Sequence, residues 1–161
     1  MSYLVIIRGP LGAGKTTIAK KLAPKIKGKY ISVDDILRIY KLGYDTEDGN
    51  ISQKSFLKTN EVLAPKAKKF LDKNIPVIFD GNFYWPSHID DLAQRLKVKH
   101  YIFTMHVPLE VCIKRDKDRD KTYGVEAAKA VYKRSVALQR GIIIDTLQPE
   151  DDTVEQIISF L

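Results

Sequence analysis

The chain has 161 residues, of which 44% are hydrophobic and 29% are charged, and its net charge is +7. That length suits one compact domain spanning residues 1–161, and the composition excludes an intrinsically disordered chain. No stretch approaches the roughly 20 apolar residues that a membrane-spanning helix requires. The N-terminus lacks a secretory signal pattern and Cys112 is the single cysteine, so we expect a cytoplasmic protein with no membrane partner and no internal disulfide.

Apolar, β-branched runs alternate along the chain with segments whose apolar residues recur at helical spacing. Buried strands are predicted at 3–8, 30–33, 76–80, 101–107 and 142–145. Helices are predicted at 15–23, 36–42, 109–117 and 125–139, with others after Ser52, after Ser87 and at the C-terminus, and 43–50 is predicted as a polar turn. This alternation predicts a three-layer α/β fold, in which a five-stranded parallel sheet has helices on both faces.

The ends of the helices are predicted from capping residues and prolines. Ser52 and Ser87 are expected to be N-caps, and a capping box that begins at Thr153 is expected to start the last helix. Pro24 is expected to end the first helix. Pro65 is expected to kink the third helix or to divide it in two.

A glycine-rich turn follows the first predicted strand and opens the first predicted helix. Its sequence, GPLGAGKT, matches G-x-x-x-x-G-K-[ST] at every fixed position. Glycines let the backbone N–H groups turn toward phosphates, and the helix N-terminus adds its positive dipole end. A lysine at this position reaches the β- and γ-phosphates, and the hydroxyl after it ligates Mg²⁺. We therefore predict an ATP site formed by Gly9, Gly12, Ala13, Gly14, Lys15, Thr16 and Thr17.

The third predicted strand ends in Asp80. A carboxylate at this position suits a Mg²⁺ ion bound together with Thr16 and the nucleotide. The alternative is a polar strand end that bonds the amides of the next turn. The chain contains no N-K-x-D segment of the kind that reads guanine, which disfavours a GTPase.

The order of several segments resembles that of small P-loop kinases. After the glycine-rich loop come Asp34-Asp35, DGNF at 80–83, VPLEVCIKRDKDR at 107–119 and IIIDT at 142–146. The chain is similar to the group that contains polynucleotide 5′-hydroxyl kinases, adenylylsulfate kinases, chloramphenicol phosphotransferases and zeta toxins. The resemblance spans nearly the whole chain, and it implies Mg·ATP-dependent phosphoryl transfer to an alcohol group.

The resemblance also implies roles on the acceptor side. In such kinases the acid just after the second strand is the general base, and Asp34 matches that position best, with Asp35 as the alternative. The other acid of the pair is expected to cap the following helix. Arg38, one helical turn beyond Asp34, is expected to orient that acid, to hold an acceptor phosphate or to face solvent.

A lid is implied at about 114–124. Its arginines, Arg115 and Arg119, are spaced to share one face if the helix continues that far, and they would close over the transferring phosphates. The acids interleaved with them make a solvated turn of mixed charge the alternative. We favour the lid, because a kinase must exclude water from the γ-phosphate.

The acceptor is predicted to be a nucleotide or a polynucleotide 5′-hydroxyl, because YGVEAAKAVYKR at 123–134 resembles the segment after the lid of polynucleotide kinases. The basic excess in 1–73 and 95–140 suits a polyanion, although solvated helix faces explain it equally well. A small-molecule acceptor is the close alternative. The rival from another class is an ATP-binding switch that phosphorylates nothing. The sequence gives no indication of the oligomeric state.

Overall fold

The computed structural model describes residues 1–119 and 123–161. Its strands span Leu4–Arg8 (β1), Lys29–Ser32 (β2), Thr46–Glu47 (β3), Asn50–Ile51 (β4), Val77–Asp80 (β5), His100–His106 (β6) and Ile142–Asp145 (β7). Five of these strands form a parallel sheet in the order β2-β5-β1-β6-β7, and β3 and β4 form a separate antiparallel hairpin. The predicted fold, a P-loop α/β domain with a five-stranded parallel sheet, is confirmed.

The helices cover both faces of the sheet. They span Lys15–Lys25 (α1), Val33–Ile39 (α2), Gln53–Leu71 (α3), Pro86–Leu96 (α4), Leu109–Lys117 (α5), Val125–Ala137 (α6) and Glu150–Ile158 (α7). Successive residues of β1 point to opposite faces. Leu4 and Ile6 pack in one core with α2, α3 and α4, whereas Val5 and Ile7 pack in the other with α1 and α7.

The strand order determines where a ligand can bind. From β1 the chain passes to one side of the sheet through β2 and β5, and then to the other side through β6 and β7. The carboxyl ends of β1 and β6 therefore flank a topological switch point, which is where open α/β sheets bind ligands. Gly9 begins the glycine-rich loop at this point.

Of the N-caps predicted for α3, α4 and α7, the one at α3 is confirmed and the other two are wrong. The Ser52 side chain caps α3 by accepting a 3.1 Å hydrogen bond from the N–H of Ser55. Ser87 is no cap, because α4 begins one residue earlier at Pro86, and proline is favoured at the first helical position. Thr153 is likewise inside α7, which begins at Glu150.

Neither proline ends a helix. Pro24 is inside the last turn of α1, which continues to Lys25. Pro65 is inside α3, a single helix of 19 residues. Leu63 and Ala67, on either side of Pro65, are fully buried, and burial of that face offsets the hydrogen bond that proline removes.

The segment that connects β2 to α3 also differs from expectation. The strand ends at Ser32, and α2 begins at Val33 instead of 36. The predicted polar turn at 43–50 contains the hairpin of β3 and β4, whose Asp48-Gly49 turn has positive φ at both residues (52° and 76°). Among the described residues, no helix is long and apolar enough to cross a membrane.

Candidate functional site

The glycine-rich loop wraps closely against the start of α5. Gly12 has a φ of 75°, and a Cβ atom there would lie 2.6 Å from the backbone carbonyl oxygen of Cys112. Gly14 precedes α1 in the left-handed region, with a φ of 86°. Side chains at both positions are therefore disfavoured. The loop and the N-terminus of α1 have the conformation and the free N–H groups that suit bound phosphates.

Lys15 is buried beneath this loop. It is only 7% exposed, and its Nζ donates a 2.6 Å hydrogen bond to the carbonyl oxygen of Pro10. Burial lowers the pKa of Lys15, and the negative charges of Asp80 and Asp34 oppose that shift. The ammonium group thus lies in the electrostatic field of both predicted acids.

Asp80 lies at the carboxyl end of β5, next to β1. It is buried, and its Oδ2 accepts a 2.6 Å hydrogen bond from the Oη of Tyr30. The pKa of Tyr30 is raised by burial and by the bond to Asp80, while the hydroxyl of Thr16 opposes the shift. Asp80 and Thr16 therefore both lie close to the Tyr30 hydroxyl.

These two side chains fit a magnesium ion that is bound mainly by a nucleotide. Within 1–119 and 123–161, no group of three or more His, Cys, Asp and Glu side chains could hold a metal ion. Mg²⁺ at phosphate sites needs only one or two protein oxygens, because phosphates and water supply the rest. Thr16 is exposed, and within the described residues the only side-chain hydrogen bond to Asp80 is made at Oδ2, which leaves Oδ1 for an ion.

The two predicted lid arginines meet at one cavity of about 260 Å³ beside the loop. Arg115 donates hydrogen bonds from Nη1 to the carbonyl oxygen of Gly12 (3.2 Å) and from Nη2 to that of Thr146 (3.3 Å). The helix α5 ends at Lys117, as predicted, so it does not continue to Arg119, yet Arg119 lines the same cavity. Of the predicted lid, 120–122 lie outside the described residues.

The acidic pair lies inside α2, and its capping role was predicted wrongly. Ser32 is the N-cap, because its Oγ accepts a hydrogen bond from the N–H of Asp35 (3.2 Å). Asp35 instead pairs with Arg38 (3.2 Å), and both side chains are well exposed. Arg38 therefore contacts Asp35 and not Asp34, the acid that it was expected to orient.

Asp34 faces a second and larger cleft. Asp34 is an exposed residue, but protein atoms surround its carboxyl group at the cleft closely enough to desolvate it. This desolvation raises the pKa of Asp34, and Asp80 and Asp35 add to the shift, while Lys15 and Arg119 oppose it. The carboxyl group thus connects the cleft electrostatically to the phosphate-binding loop.

This second cleft, which we call the acceptor cleft, has a volume of about 720 Å³. Its walls come from α2, the β3–β4 hairpin, the turn after β5 and α6. The α6 wall carries small apolar side chains, and polar groups line the side near the loop. The lining includes Leu11, Asp34, Leu37, Arg38, Lys41, Tyr44, Asn50, Asn82, Tyr84, Tyr123, Ala127, Ala130 and Val131.

Aromatic residues after β5 pack beside the cleft. Phe83, Tyr84 and Trp85 are all buried. The indole Nε1 of Trp85 donates a 2.7 Å hydrogen bond to the carbonyl oxygen of Ile51 in the hairpin. The guanidinium of Arg134 lies over the Trp85 ring, 3.9 Å from its centroid, so the turn, the hairpin and α6 are held together.

Arg8 is a site residue that sequence reasoning missed. It is fully buried at the end of β1, immediately before the loop. Its guanidinium donates to the carbonyl oxygens of Phe83 (3.1 Å), Ser135 (3.0 Å) and Leu138 (3.1 Å), and to the hydroxyl of Thr104 (2.8 Å). The sequence feature that could have indicated Arg8 is its position as the one charged residue at the end of an otherwise apolar strand.

Comparison with known proteins agrees with this geometry. A family model described as an AAA domain matches residues 4–140. The cytidylate kinase of Saccharolobus islandicus (strain L.S.2.15) is 29% identical over 133 residues, which are 81% of this chain and 67% of that protein.

Solved structures show the same fold at low identity. A sugar kinase from Janibacter sp. HTCC2649 superposes with a TM-score of 0.80 at 18% identity, covering 99% of this chain and 94% of that one. An APS kinase from Mycobacterium tuberculosis, solved with AMPPNP and APS, gives a TM-score of 0.71 at 15% identity, covering 98% and 96%. The fold is therefore that of small P-loop kinases.

Proposed function

The chain belongs to the AAA-domain family that its residues 4–140 match, and we propose that it transfers the γ-phosphoryl group of Mg·ATP to a hydroxyl group of a small acceptor. The position of Asp34 is the observation that carries this proposal. Its carboxyl group lines the acceptor cleft and interacts with Lys15 of the phosphate-binding loop. A carboxylate between the two sites is placed to take the proton of an attacking hydroxyl.

The proposed step conserves atoms and charge. The acceptor oxygen forms a bond to the γ-phosphorus, the bond from that phosphorus to the β–γ bridging oxygen breaks, and ADP leaves. The proton of the hydroxyl passes to Asp34. Lys15, the loop N–H groups, Arg115 and Arg119 stabilise the charge on the transferring group. Mg²⁺ held by Thr16 and Asp80 would neutralise part of the phosphate charge.

The charges in the cleft favour a hydroxyl acceptor over a phosphate acceptor. Similarity to a cytidylate kinase makes a nucleoside monophosphate the second candidate. A phosphate needs no general base, and two acids beside it would repel its negative charge. Asp34 and Asp35 both line the cleft, and Arg38 is already paired with Asp35.

The shape of the cleft supports a small acceptor better than the end of a polynucleotide. Protein walls surround it, and an ion pair between Asp48 and Arg134 (3.3 Å) joins the hairpin to α6. Its lining has only two cationic side chains, Arg38 and Lys41, among the described residues. A nucleic-acid groove carries a row of cations along the phosphate backbone.

Transfer of label from γ-labelled ATP tests the proposal. We expect label on a small hydroxyl compound, with no label on CMP or on oligonucleotides that have a 5′-hydroxyl. Asp34→Asn should lower kcat by about 10²–10⁴-fold, the usual contribution of a general base, and leave the KM for ATP unchanged. Asp35→Asn is the matched control.

The alternatives give different results in the same assay. If Asp35→Asn carries the loss, the base is the other acid of the pair. Label on the oligonucleotide would establish the polynucleotide activity instead. Released phosphate without any labelled acceptor would indicate an ATP-binding switch and contradict the kinase.

A further inference from the structure

Two asparagines in the acceptor cleft have unpaired amide oxygens. Asn50 and Asn82 are each only 8% exposed, and both line the cleft. The Nδ2 of Asn50 donates a 3.0 Å hydrogen bond to the carbonyl oxygen of Asp48. Neither Oδ1 atom has a partner within the described parts of the chain. Leaving a buried polar group unpaired is costly, so each such group requires an explanation.

The backbone around Asn82 is constrained on both sides. At Gly81, a Cβ atom would lie 2.9 Å from the Cβ of Val33, so the turn packs directly against the start of α2. Phe83 has a φ of 45°, which is unfavourable for a bulky residue, and its carbonyl oxygen is bonded to the buried Arg8. Strain of this kind persists where the surrounding structure enforces it, often at ligand sites.

The chemistry of these groups matches hydroxyl groups. An amide has one acceptor end and one donor end, and a hydroxyl can pair with either end. Asp34, as the proposed general base, also requires a hydroxyl group on the acceptor from which it can take a proton. A ligand with several hydroxyl groups would therefore pair with the Asn82 amide beside the reacting oxygen and with Asn50 farther along the cleft.

The remaining lining favours an uncharged ring. Among the described residues that line the cleft, two acids, Asp34 and Asp35, balance two bases, Arg38 and Lys41. The α6 wall presents Ala127, Ala130 and Val131, which form a shallow apolar surface. At the cleft, Tyr44 (84% exposed) and Tyr123 (58% exposed) offer aromatic faces on which the C–H face of a sugar or a planar base can stack.

We infer that the acceptor is an uncharged ring compound with at least two neighbouring hydroxyl groups, and that Asn82 determines specificity by binding the hydroxyl next to the one that is phosphorylated. This inference rests on the proposed kinase function. Monosaccharides, cyclitols and nucleosides share the required chemistry.

The first experiment measures label transfer from γ-labelled ATP to D-glucose, D-ribose, myo-inositol, cytidine and adenosine, with CMP and a 5′-hydroxyl oligonucleotide as charged comparisons. We expect transfer to at least one uncharged compound, and its identity shows whether the acceptor is a monosaccharide, a cyclitol or a nucleoside. Transfer to the oligonucleotide alone would overturn the inference and leave transfer to a hydroxyl group standing, whereas transfer to the phosphate of CMP alone would overturn the hydroxyl acceptor as well. No transfer to any compound would count against both.

The second experiment uses the best acceptor and its deoxy analogue that lacks the neighbouring hydroxyl. Asn82→Ala should raise the acceptor KM about ten- to hundredfold, in line with the loss of one buried hydrogen bond, and leave the KM for ATP unchanged. The KM of the wild type for the deoxy analogue should be higher than its KM for the acceptor by a similar factor. The variant should no longer distinguish the two compounds.

Asn60→Ala is the matched control. Asn60 is fully buried, and within the described ranges its Oδ1 also lacks a partner. It lies on α3, where its Nδ2 donates to the carbonyl oxygen of His88 and to the carboxylate of Asp91. Thermal unfolding should report a loss of stability in Asn60→Ala without a change in the acceptor KM. If the wild type and Asn82→Ala discriminate equally between the acceptor and its deoxy analogue, the role of Asn82 is overturned, even if an uncharged acceptor is phosphorylated.

Discussion

The Oη atom of Tyr30 donates a 2.6 Å hydrogen bond to the Oδ2 of Asp80, linking two neighbouring strands at the edge of the sheet where the loop begins. Burial, together with this bond, raises the pKa of Tyr30, so the phenol stays protonated and acts as the donor. The carboxylate is thereby fixed in orientation, with one oxygen left for a metal ion.

Tyr30→Phe removes the donor and keeps the ring. Partners that orient a metal-binding carboxylate affect metal affinity by about 10- to 100-fold when they are lost, and we expect the lower end because ATP supplies most ligands. The Mg²⁺ concentration for half-maximal ATP turnover should therefore rise about tenfold. Tyr101→Phe, which removes a bond to the Leu161 carbonyl oxygen far from the loop, should leave it unchanged. Equal Mg²⁺ dependence in both variants would contradict the role of Tyr30.

Lys15→Met tests the phosphate-binding loop. Methionine retains most of the buried stem of Lys15, so the midpoint of thermal unfolding should stay close to that of the wild type. Loss of a charge aimed at the transferring group should lower kcat by about 10²–10³-fold, as for other preorganised donors. Lys25→Met on the same helix removes only an exposed ion pair with Glu155 and should change neither quantity. Wild-type turnover by Lys15→Met would refute the assignment.

The pH dependence of turnover follows from Asp34. Because desolvation raises its pKa, the base is lost to protonation at a higher pH than for an ordinary aspartate. In the pH profile, kcat/KM should therefore fall as the pH decreases, and this bend should lie above about pH 4, the usual pKa of an aspartate. Asp34→Glu should keep a bend, whereas the residual activity of Asp34→Asn should show none in a profile from pH 4 to 8. A bend that survives in Asp34→Asn belongs to another group.

The phosphate-binding loop could be predicted from sequence because its function depends on backbone conformation. Few residues other than glycine tolerate the conformations found at Gly12 and Gly14, so the residue types themselves record the geometry. The strands were equally predictable. A parallel strand buried on both faces appears as a continuous apolar run, as in β1, whose five residues are all buried.

The acceptor cleft could not be predicted in the same way, because its walls depend on contacts between distant segments. The hairpin of β3 and β4 has strands of only two residues each, too short for a periodic pattern. Its position depends on two hydrogen bonds at Ile51, whose N–H donates to the hydroxyl oxygen of Tyr84 and whose carbonyl oxygen accepts from the indole of Trp85. In the sequence, Asn82 was only one residue of the segment DGNF, and the proposal for it arose from its burial and from an Oδ1 atom that has no partner among the described residues.

His88 provides a prediction about stability and pH. Its ring is fully buried between Phe56 and Phe83, at centroid distances of 4.5 and 4.2 Å. Neither ring nitrogen has a partner in the described part of the chain. Desolvation lowers the pKa of His88 to about 3, with Asp91 opposing the shift. The unfolded chain therefore takes up a proton near pH 6.5 that the folded protein does not.

The stability contributed by neutral His88 is complete above about pH 6.5 and decreases as the pH falls toward 3. Between pH 7 and pH 5 this linkage should remove about 2 kcal/mol from the free energy of unfolding. Urea unfolding of His88→Phe, which keeps an aromatic ring between the two phenylalanines, should lack this component. His100→Phe is the exposed control. A pH dependence in His88→Phe equal to that of the wild type would contradict the assignment.

Arg8 connects the phosphate-binding strand to both walls of the acceptor cleft. Its guanidinium bonds the carbonyl oxygen of Phe83 in the turn after β5, and those of Ser135 and Leu138 at the end of α6. Burial and the nearby charge of Arg140 lower the pKa of Arg8 to about 10, so it remains charged at neutral pH. No carboxylate forms an ion pair with it among the described residues.

Arg8→Met therefore has two opposing effects on stability. It relieves the cost of burying a lone charge, but it leaves several buried carbonyl oxygens without a donor, at roughly 1–3 kcal/mol each. Because the orphaned carbonyls outnumber the single relieved charge, we expect a net loss of about 3 kcal/mol in the free energy of unfolding. The exposed Arg95, paired with Asp91, is the control, and Arg95→Met should cost less than about 1 kcal/mol.

Arg8→Met should weaken binding of the acceptor more than binding of the nucleotide. Releasing the Phe83 carbonyl oxygen frees the constrained turn that holds Asn82, whereas the glycines of the loop keep their own contacts with Met105 and Cys112. At a temperature where Arg8→Met is fully folded, the acceptor KM should rise several-fold more than the KM for ATP. Arg8→Lys keeps the charge but cannot reproduce four bonds with a planar fork, so it should behave like Arg8→Met. An Arg8→Lys variant with wild-type KM values would show that the charge, and not the hydrogen-bond geometry, is what matters at this position.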